Sequence, residues 1–454
     1  MVKYICIECI RDEFIKQRIN DEGNIQTCTY CKNELQAVSL QTVAEWVDPI
    51  YREHYLPGEE YPVSYDIGYK LRYETTGDTP EEIISEILEV DTIIAGHIVE
   101  ILSENESWEV IKEAQDPLYD STSNYEFISV SSHRHLGLWY DFCHAVKHES
   151  RFYNEKTTQI LYDLFSQIDS FKYFGDLSPI REIGPGKDIH FIYRARHVKN
   201  DEEVIEITIK PYKELGPPPK SKATAGRMNA QGIPVFYGAT DSETCIAEIR
   251  LPVSGKAVIA KFEVIQPILV MDLTVFSKMY EVLSLFDSEY EYKASRLEFL
   301  NDFNRRISEP VLSREFSSDY IPTQALAEYL ANHYEKKIDA IIYSSNQVTQ
   351  VEGEINNNIV ILPHAATVEW PSEISEKDSI DPYGIIWSED GYYVYKNKPS
   401  DESKMHTFDW DTTFYDYTIS STPILRIVSE SIEVIQAKSV DYQTESYKAY
   451  YREL

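Results

Sequence analysis

Between Thr79 and Leu102 the apolar positions recur at helical spacing: Ile83, Ile84, Ile87 and Leu88, then Ile94, Ile98 and Leu102. The run opens on Thr79-Pro80-Glu81-Glu82, where threonine suits a cap, proline the first helical position and Glu82 the far corner of a capping box. The spacing predicts a helix from Thr79 to about residue 102. Leu136 to Val146 and Thr157 to Ile168 show the same period, so residues 36 to 175 read as mostly helical. The cluster from Ser178-Pro179 to Gly184-Pro185-Gly186 breaks the pattern and marks a domain boundary.

After residue 187 the pattern shortens. His190–Tyr193, Val204–Ile209, Ile233–Tyr237, Ala257–Phe262, Ile268–Met271, Ala340–Tyr343 and Ile359–Leu362 read as strands, with helices near 289–307 and 323–334. Short strands interleaved with helices predict a mixed α+β domain and not a doubly wound nucleotide fold. Neither GxGxxG nor GxxxxGK[ST] occurs. Residues 366–454 are acidic and Tyr-rich, strand-like in patches such as Tyr392–Tyr395, and hold no chemical motif.

At 454 residues the chain needs several cores. Its 43 Lys and Arg stand against 76 Asp and Glu, a net charge of −33, which argues against broad binding to nucleic acid or anionic membrane. A local basic pocket for a small phosphorylated ligand stays compatible with that balance. No apolar run approaches the roughly 18–20 residues of a membrane span. Met1-Val2-Lys3-Tyr4 leads straight to cysteines without a secretory h-region, and a cytoplasmic location is expected.

Six cysteines in such a chain suggest metal before disulfides. Cys6-Ile7-Glu8-Cys9 and Cys28-Thr29-Tyr30-Cys31 are two knuckles 18 residues apart, the spacing of a zinc-ribbon-like site. Four thiolates would close the coordination shell of Zn²⁺, so the ion's expected role is structural. Cys143 and Cys245 stand alone in apolar stretches and read as core residues.

The chemistry concentrates around one predicted strand–helix corner. A strand ends at Tyr237 and a helix starts at Thr240, with Glu243 placed for a capping box and Glu248 two turns along. Arg227 sits upstream in the loop Gly226-Arg227-Met228-Asn229. An arginine, a tyrosine and a glutamate converging there could hold a diphosphate, pack on a ring and stabilise a developing cation. At this separation an Arg and a Glu are more often surface residues or a weak ion pair, and Tyr237 could be plain strand packing.

The order of pieces adds to this. Tyr193-Arg194-Ala195-Arg196, Glu214 to Pro219, the Gly226–Asn229 loop, Tyr237, Glu248, Tyr320-Ile321-Pro322-Thr323-Gln324 and Tyr343-Ser344-Ser345 together resemble the RES domain family over about residues 187–364. The segment before them resembles the HEPN-related N-terminal domain that some RES proteins carry. The resemblance implies a helical N-terminal region with a small zinc knuckle, then a mixed α/β domain similar to the ADP-ribosyltransferase fold, α+β in class. Its domains would be a knuckle at 1–35, a helical HEPN-related domain at 36–180, a catalytic domain at 187–364 and a C-terminal extension at 365–454 packed on it.

The family's functional arginines fall on Arg194 and Arg227, its tyrosine on Tyr237, its glutamate on Glu248 and its serine on Ser345, with Ser344 adjacent. The resemblance implies a toxin-like enzyme that consumes NAD⁺ by hydrolysis or phosphorolysis, with an anti-phage defence role by analogy alone. Arg194 and Arg227 would neutralise the pyrophosphate or bind inorganic phosphate, Tyr237 would pack on the nicotinamide or its ribose, Glu248 would stabilise the oxocarbenium-like state, and Ser345 would hydrogen-bond substrate. Expected partners are NAD⁺, inorganic phosphate and an inhibitor or activator, with self-association open.

Three rivals are weighed beside it. Active HEPN ribonucleases place Arg five to seven residues before His, and none of the eleven histidines here has one. His144 and His148 share a helix face but read as an ordinary pair. ADP-ribosylation of a macromolecule uses the same bond cleavage with another acceptor, and a binding module would use the zinc knuckle alone.

Overall fold

The computed structural model describes residues 2–65, 71–113, 118–120, 123–174, 177–309, 316–348, 356–369, 383–388, 391–396 and 422–439. The fold is α+β, with helices and a curled mixed sheet in two compact units, Met1–Arg134 with Glu281–Glu298 and His135–Tyr280 with Phe299–Leu454. The Pro and Gly cluster read as a boundary falls inside the second unit.

The first unit opens on a three-stranded antiparallel sheet, β1 (Tyr4–Cys6), β2 (Asn24–Thr27) and β3 (Glu34–Ser39), ordered β1-β3-β2. Between β1 and β2 runs α1 (Glu13–Glu22), capped by Asp12, whose carboxylate accepts from the Ile15 amide. After β3 comes α2 (Leu40–His54), capped in the same way by Ser39. Two small hairpin-like ladders follow, β4 (Tyr55–Pro57) with β7 (Tyr125–Phe127) and β5 (Glu60–Tyr65) with β6 (Leu71–Thr75). The region read as mostly helical therefore also contains strands.

The helix predicted from Thr79 to about residue 102 is two helices, α3 (Pro80–Leu88) and α4 (Thr92–Glu113). The Thr79–Glu82 capping box forms, but Glu89 turns left-handed at φ 49° and ends α3. The apolar stripe continues because both helices present Ile84, Leu88, Ile94 and Ile98 to one core with Val43, Val47 and Tyr51 of α2.

The second unit takes up α5 (His133–His144) from His135 onward, then α6 (Glu155–Phe165). Trp139, Phe142 and Phe165 from these helices meet Phe299 and Phe303 in an aromatic cluster. The strands of the large sheet are β8 (Ile180–Ile183), β9 (Phe191–Val198), β10 (Phe236–Ala239), β11 (Lys256–Val264), β12 (Ile268–Asp272), β13 (Ala340–Ser344) and β14 (Asn357–Ile361). The extension adds a hairpin, β15 (Tyr383–Ser388) with β16 (Gly391–Lys396), then β17 (Leu425–Ile427) and β18 (Glu433–Gln436). Residues 370–382, 389–390, 397–421 and 440–454 of the acidic C-terminal stretch lie outside the described residues.

The sheet runs β17-β11-β9-β10-β14-β13-β12-β8, and β18 also pairs with β11. Strands β12 and β13 are parallel while the other neighbours are antiparallel. Its buried side chains, among them Ile192, Phe236, Val258, Phe262, Ile342 and Ile359, form the main core.

Two strand expectations fail here. Val204–Ile209 lies in α7 (Asp201–Ile209), because Asn200 accepts from the Glu203 amide as cap and three acidic residues fill the first turn. Ile233–Tyr237 yields a strand only from Phe236. The remaining helices are α8 (Pro211–Glu214), α9 (Ser242–Glu248), α10 (Tyr290–Ser308), α11 (Phe316–Asp319) and α12 (Ile321–Asn332). Among the described residues no helix is long and apolar enough to cross a membrane.

Candidate active site and cysteine cluster

The four paired cysteines come together. Cys6 precedes and Cys9 ends a single 3₁₀ turn after β1, and Cys28 and Cys31 lie in the turn from β2 to β3. Their sulfurs lie within 4.8 Å of one another, with Cys6–Cys31 at 3.5 Å and Cys6–Cys9 and Cys9–Cys28 at 3.7 Å. Four thiolates about 2.3 Å from a tetrahedral ion stand about 3.8 Å apart, close to the three separations just given, so the cluster can hold a metal ion. Burial pushes the Cys6 thiol up to about 11. Burial opposes ionisation of Cys28 too, yet backbone amides of Cys31, Tyr30 and Cys6 bring it down to about 7. Among the described residues no other group of three His, Cys, Asp or Glu side chains is close enough to hold an ion.

In the second unit a cavity of about 410 Å³ is lined by Arg194, Arg227, Tyr237, Glu248 and Ser344, five of the residues singled out from sequence. Each is positioned by a different element. Arg194 lies on β9, two residues from buried Ile192 and so on the same strand face. Its guanidinium sits over the Phe236 ring, 4.8 Å from the centroid. One of its terminal nitrogens, Nη1, is buried without a partner among the described residues. Desolvation holds this group down to about 10, below the usual arginine range.

Arg227 sits in a loop closed by the Gly226 amide donating to the Asn229 carbonyl at 3.0 Å. The Asn229 amide side chain donates to the carbonyls of Thr224 and Ile233, both at 2.9 Å. Tyr237, on β10, donates its hydroxyl to Asn229 Oδ1 at 2.9 Å and accepts from the Met228 amide at 2.8 Å. A Cβ on Gly226 would lie 2.6 Å from that hydroxyl, so only glycine permits the approach. The guanidinium of Arg227 donates to the carbonyls of Ile307 and Glu309 at the end of α10 and covers the Tyr320 ring at 5.2 Å. These partners are carbonyl dipoles and a ring face, so no carboxylate among the described residues neutralises it.

The helix bearing Glu248 starts one residue later than predicted. Asp241, not Thr240, caps α9 by accepting from the Thr244 amide, and Glu243 takes no part in a box. Glu248 is the last residue of this seven-residue helix. Its Oε1 accepts from Ser345 Oγ at 2.6 Å and from Asn358 Nδ2 at 2.7 Å. Ser345 is buried just beyond β13 and also accepts from the Gln347 amide at 3.1 Å. Its hydroxyl is therefore turned to the glutamate. Ser344 Oγ accepts from Asn304 Nδ2 at 2.8 Å. Burial raises both Cys245, on the cavity wall, and Cys143 to about 12, so each is a neutral thiol at ordinary pH.

Sequence reasoning missed Asn358, Asn346 and Gln347, and gave Arg250, Tyr320 and Tyr343 no role, although all six line the cavity. Asn358 faces Ala239 on one side and Tyr343 on the other in the ladder. A buried polar residue opening an apolar strand was the available signal. The arrangement presents unneutralised guanidinium groups and a hydrogen-bonded carboxylate to one cavity, which suits an anionic ligand in which positive charge develops nearby. Residues 192–381 match the RES domain, and residues 21–159 match HEPN/RES N-terminal domain 1. No curated protein and no solved structure matches the chain.

Proposed function

Because the chain is a RES domain protein with a HEPN-related N-terminus, we propose that it consumes NAD⁺ by cleaving the bond between nicotinamide and ribose. The observation that supports this reading is the single cavity lined by Arg194, Arg227 and Glu248, in which both cations lack a carboxylate partner among the described residues. The two guanidinium groups would hold the pyrophosphate, Arg227 from its tether on α10 and Arg194 from β9. The ring of Tyr237, its hydroxyl already engaged by the loop, would pack on the nicotinamide or its ribose, and Ser344 would reach substrate from the wall.

In the reaction the glycosidic C–N bond breaks and its electron pair passes to the pyridinium nitrogen, releasing neutral nicotinamide. Positive charge then spreads over the ribose C1 and ring oxygen, where the Glu248 carboxylate, aimed by Ser345 and Asn358, would stabilise it. The oxygen of water or of inorganic phosphate bonds to C1, and its proton leaves to solvent. The products are ADP-ribose by hydrolysis or its 1-phosphate by phosphorolysis. The four cysteines, Cys6, Cys9, Cys28 and Cys31, would hold Zn²⁺ in a closed shell that supplies folding energy and no chemistry.

In a cell such an activity is toxin-like and fits an anti-phage effector restrained by an inhibitor or released by an activating partner. Adenylate-labelled NAD⁺ tests the assignment. Label recovered as soluble ADP-ribose or its phosphate agrees with it, and label retained on protein or nucleic acid would shift the reading to ADP-ribosyl transfer. No NAD⁺ consumption by the full chain under any condition would leave only a binding module built on the cysteine knuckle.

A further inference from the structure

We infer that Thr323 and Gln324, neighbours in the first turn of α12, are positioning residues that fix where Arg227 offers its guanidinium to the ligand's pyrophosphate. The inference rests on the cleavage reading above and names the part of the fold that tunes it. Helix α12 is a buried platform, with Pro322, Leu326, Ala327, Leu330 and Ala331 all shielded from solvent. Thr323 and Gln324 are each only 8% exposed on the same helix. Polar side chains buried to that degree need hydrogen-bond partners, and both of these find them in one loop.

Gln324 Nε2 donates to the Gly226 carbonyl at 2.8 Å, and Thr323 Oγ1 donates to the carbonyl of Arg227 itself. The same hydroxyl lies 3.0 Å from the Tyr320 carbonyl, its alternative acceptor at the helix cap. Two consecutive loop carbonyls are thus pinned by two consecutive helix residues, which sets both the place and the tilt of the Arg227 backbone. The far end of the side chain is held separately. Its guanidinium donates to the Ile307 and Glu309 carbonyls and lies over the ring of Tyr320, the residue that caps α12. These bonds use part of the fork, and its other N–H donors are left for an anion. A guanidinium grips a pyrophosphate through two parallel bonds only within a narrow range of angles. Loosening the clamp on the backbone therefore weakens ligand binding while leaving the Glu248 carboxylate and its two donors in place.

The test is steady-state NAD⁺ consumption by the full chain, with Tm measured on every variant. Thr323→Val removes one donor at nearly constant shape, and Gln324→Met removes the other at nearly constant length. Each should raise KM for NAD⁺ about tenfold, as expected for one lost buried hydrogen bond, with kcat changed far less. Thr323→Ser keeps the hydroxyl and loses only a methyl group. Its KM should stay within about twofold of the parent even where its Tm falls as far as that of Thr323→Val. A KM that follows the hydrogen-bond donor and not Tm supports the clamp. Parental KM in both Thr323→Val and Gln324→Met, or equal rises in Thr323→Ser and Thr323→Val, would overturn it. A parent that consumes no NAD⁺ refutes the cleavage reading instead. Calorimetric affinity for ADP-ribose in the same variants then decides the clamp, with the same order expected, and a parent that binds no ADP-ribose overturns the clamp as well.

Discussion

Glu248 supplies the one negative charge on the described wall of the cavity, and Glu248→Gln removes it with the least change of shape. Its Oε1 only accepts hydrogen bonds, from Ser345 at 2.6 Å and Asn358 at 2.7 Å. An amide oxygen can accept the same two bonds, and the new NH₂ replaces Oε2, which has no partner among the described residues. The variant should therefore fold as the parent does, with Tm within about 2 °C, the range of a near-neutral surface change in a chain of this size. The cost falls on the transition state. A unit charge about 4 Å from a developing cation, at an effective dielectric of about 20, is worth about 4 kcal/mol. That corresponds to about a 10³-fold loss in kcat. KM should move little, because the ribose carries its positive charge only as the bond breaks. The assay is steady-state NAD⁺ consumption by the purified full chain, with parent and variant matched for Tm. A rate within tenfold of the parent would refute the electrostatic role.

Gly226→Ala would place a methyl group 2.6 Å from the Tyr237 hydroxyl and 2.7 Å from Asn229 Oδ1. Overpacking of this kind costs about 1–3 kcal/mol; a drop in both Tm and kcat/KM is expected, and no change in either would show that the loop has slack. Arg194 sets a pH dependence. Its folded pKa of about 10 lies below the ordinary 12.5, so the unfolded chain holds the proton more tightly. Its burial therefore weakens the fold below pH 10, and that cost fades as pH rises toward 12.5. Pyrophosphate binding runs the other way, and KM for NAD⁺ should climb as pH passes through about 10. Arg194→Gln should show a high KM without that limb; a limb surviving in the variant points to another group. Stripping metal from the cysteine cluster should remove folding free energy on the order of 10 kcal/mol. Elemental analysis before and after chelation, with amide exchange on the strands from Tyr4 to Ser39, checks it, and protection persisting in a metal-free chain contradicts a structural ion.

Local chemistry was the legible part of the fold. The Thr79–Glu82 box, its proline and the stripe of isoleucines could be read directly because a helix start depends on residues within one turn of it. The end of α3 could not: the stripe continues across Glu89 because α3 and α4 both serve one core, and nothing in the spacing records the left-handed turn between them. The run Val204–Ile209 misled for a related reason. β-Branched residues favour strands only where a sheet face receives them. Here the Asn200 cap and the acidic first turn decide for helix, while Val204 and Ile207 still reach the sheet core.

The site divides along the same line. Arg227, Tyr237 and Glu248 sit close together in sequence around one strand–helix corner, and their gathering on one wall follows from that corner. What aims the glutamate does not. Ser345 lies 97 residues away and Asn358 110 residues away, and they meet Glu248 because β14 lies between β10 and β13, with Asn358 opposite both Ala239 and Tyr343. Sliding β14 by one residue would turn the Asn358 amide to the opposite face and bring Ile359 to the carboxylate. On the proposed reading, the motif therefore supplies the charged groups, whereas sheet register specifies how the carboxylate is held. A change in the strand packing of β14, far from any charged residue, should for that reason weaken activity as surely as a change in the corner itself.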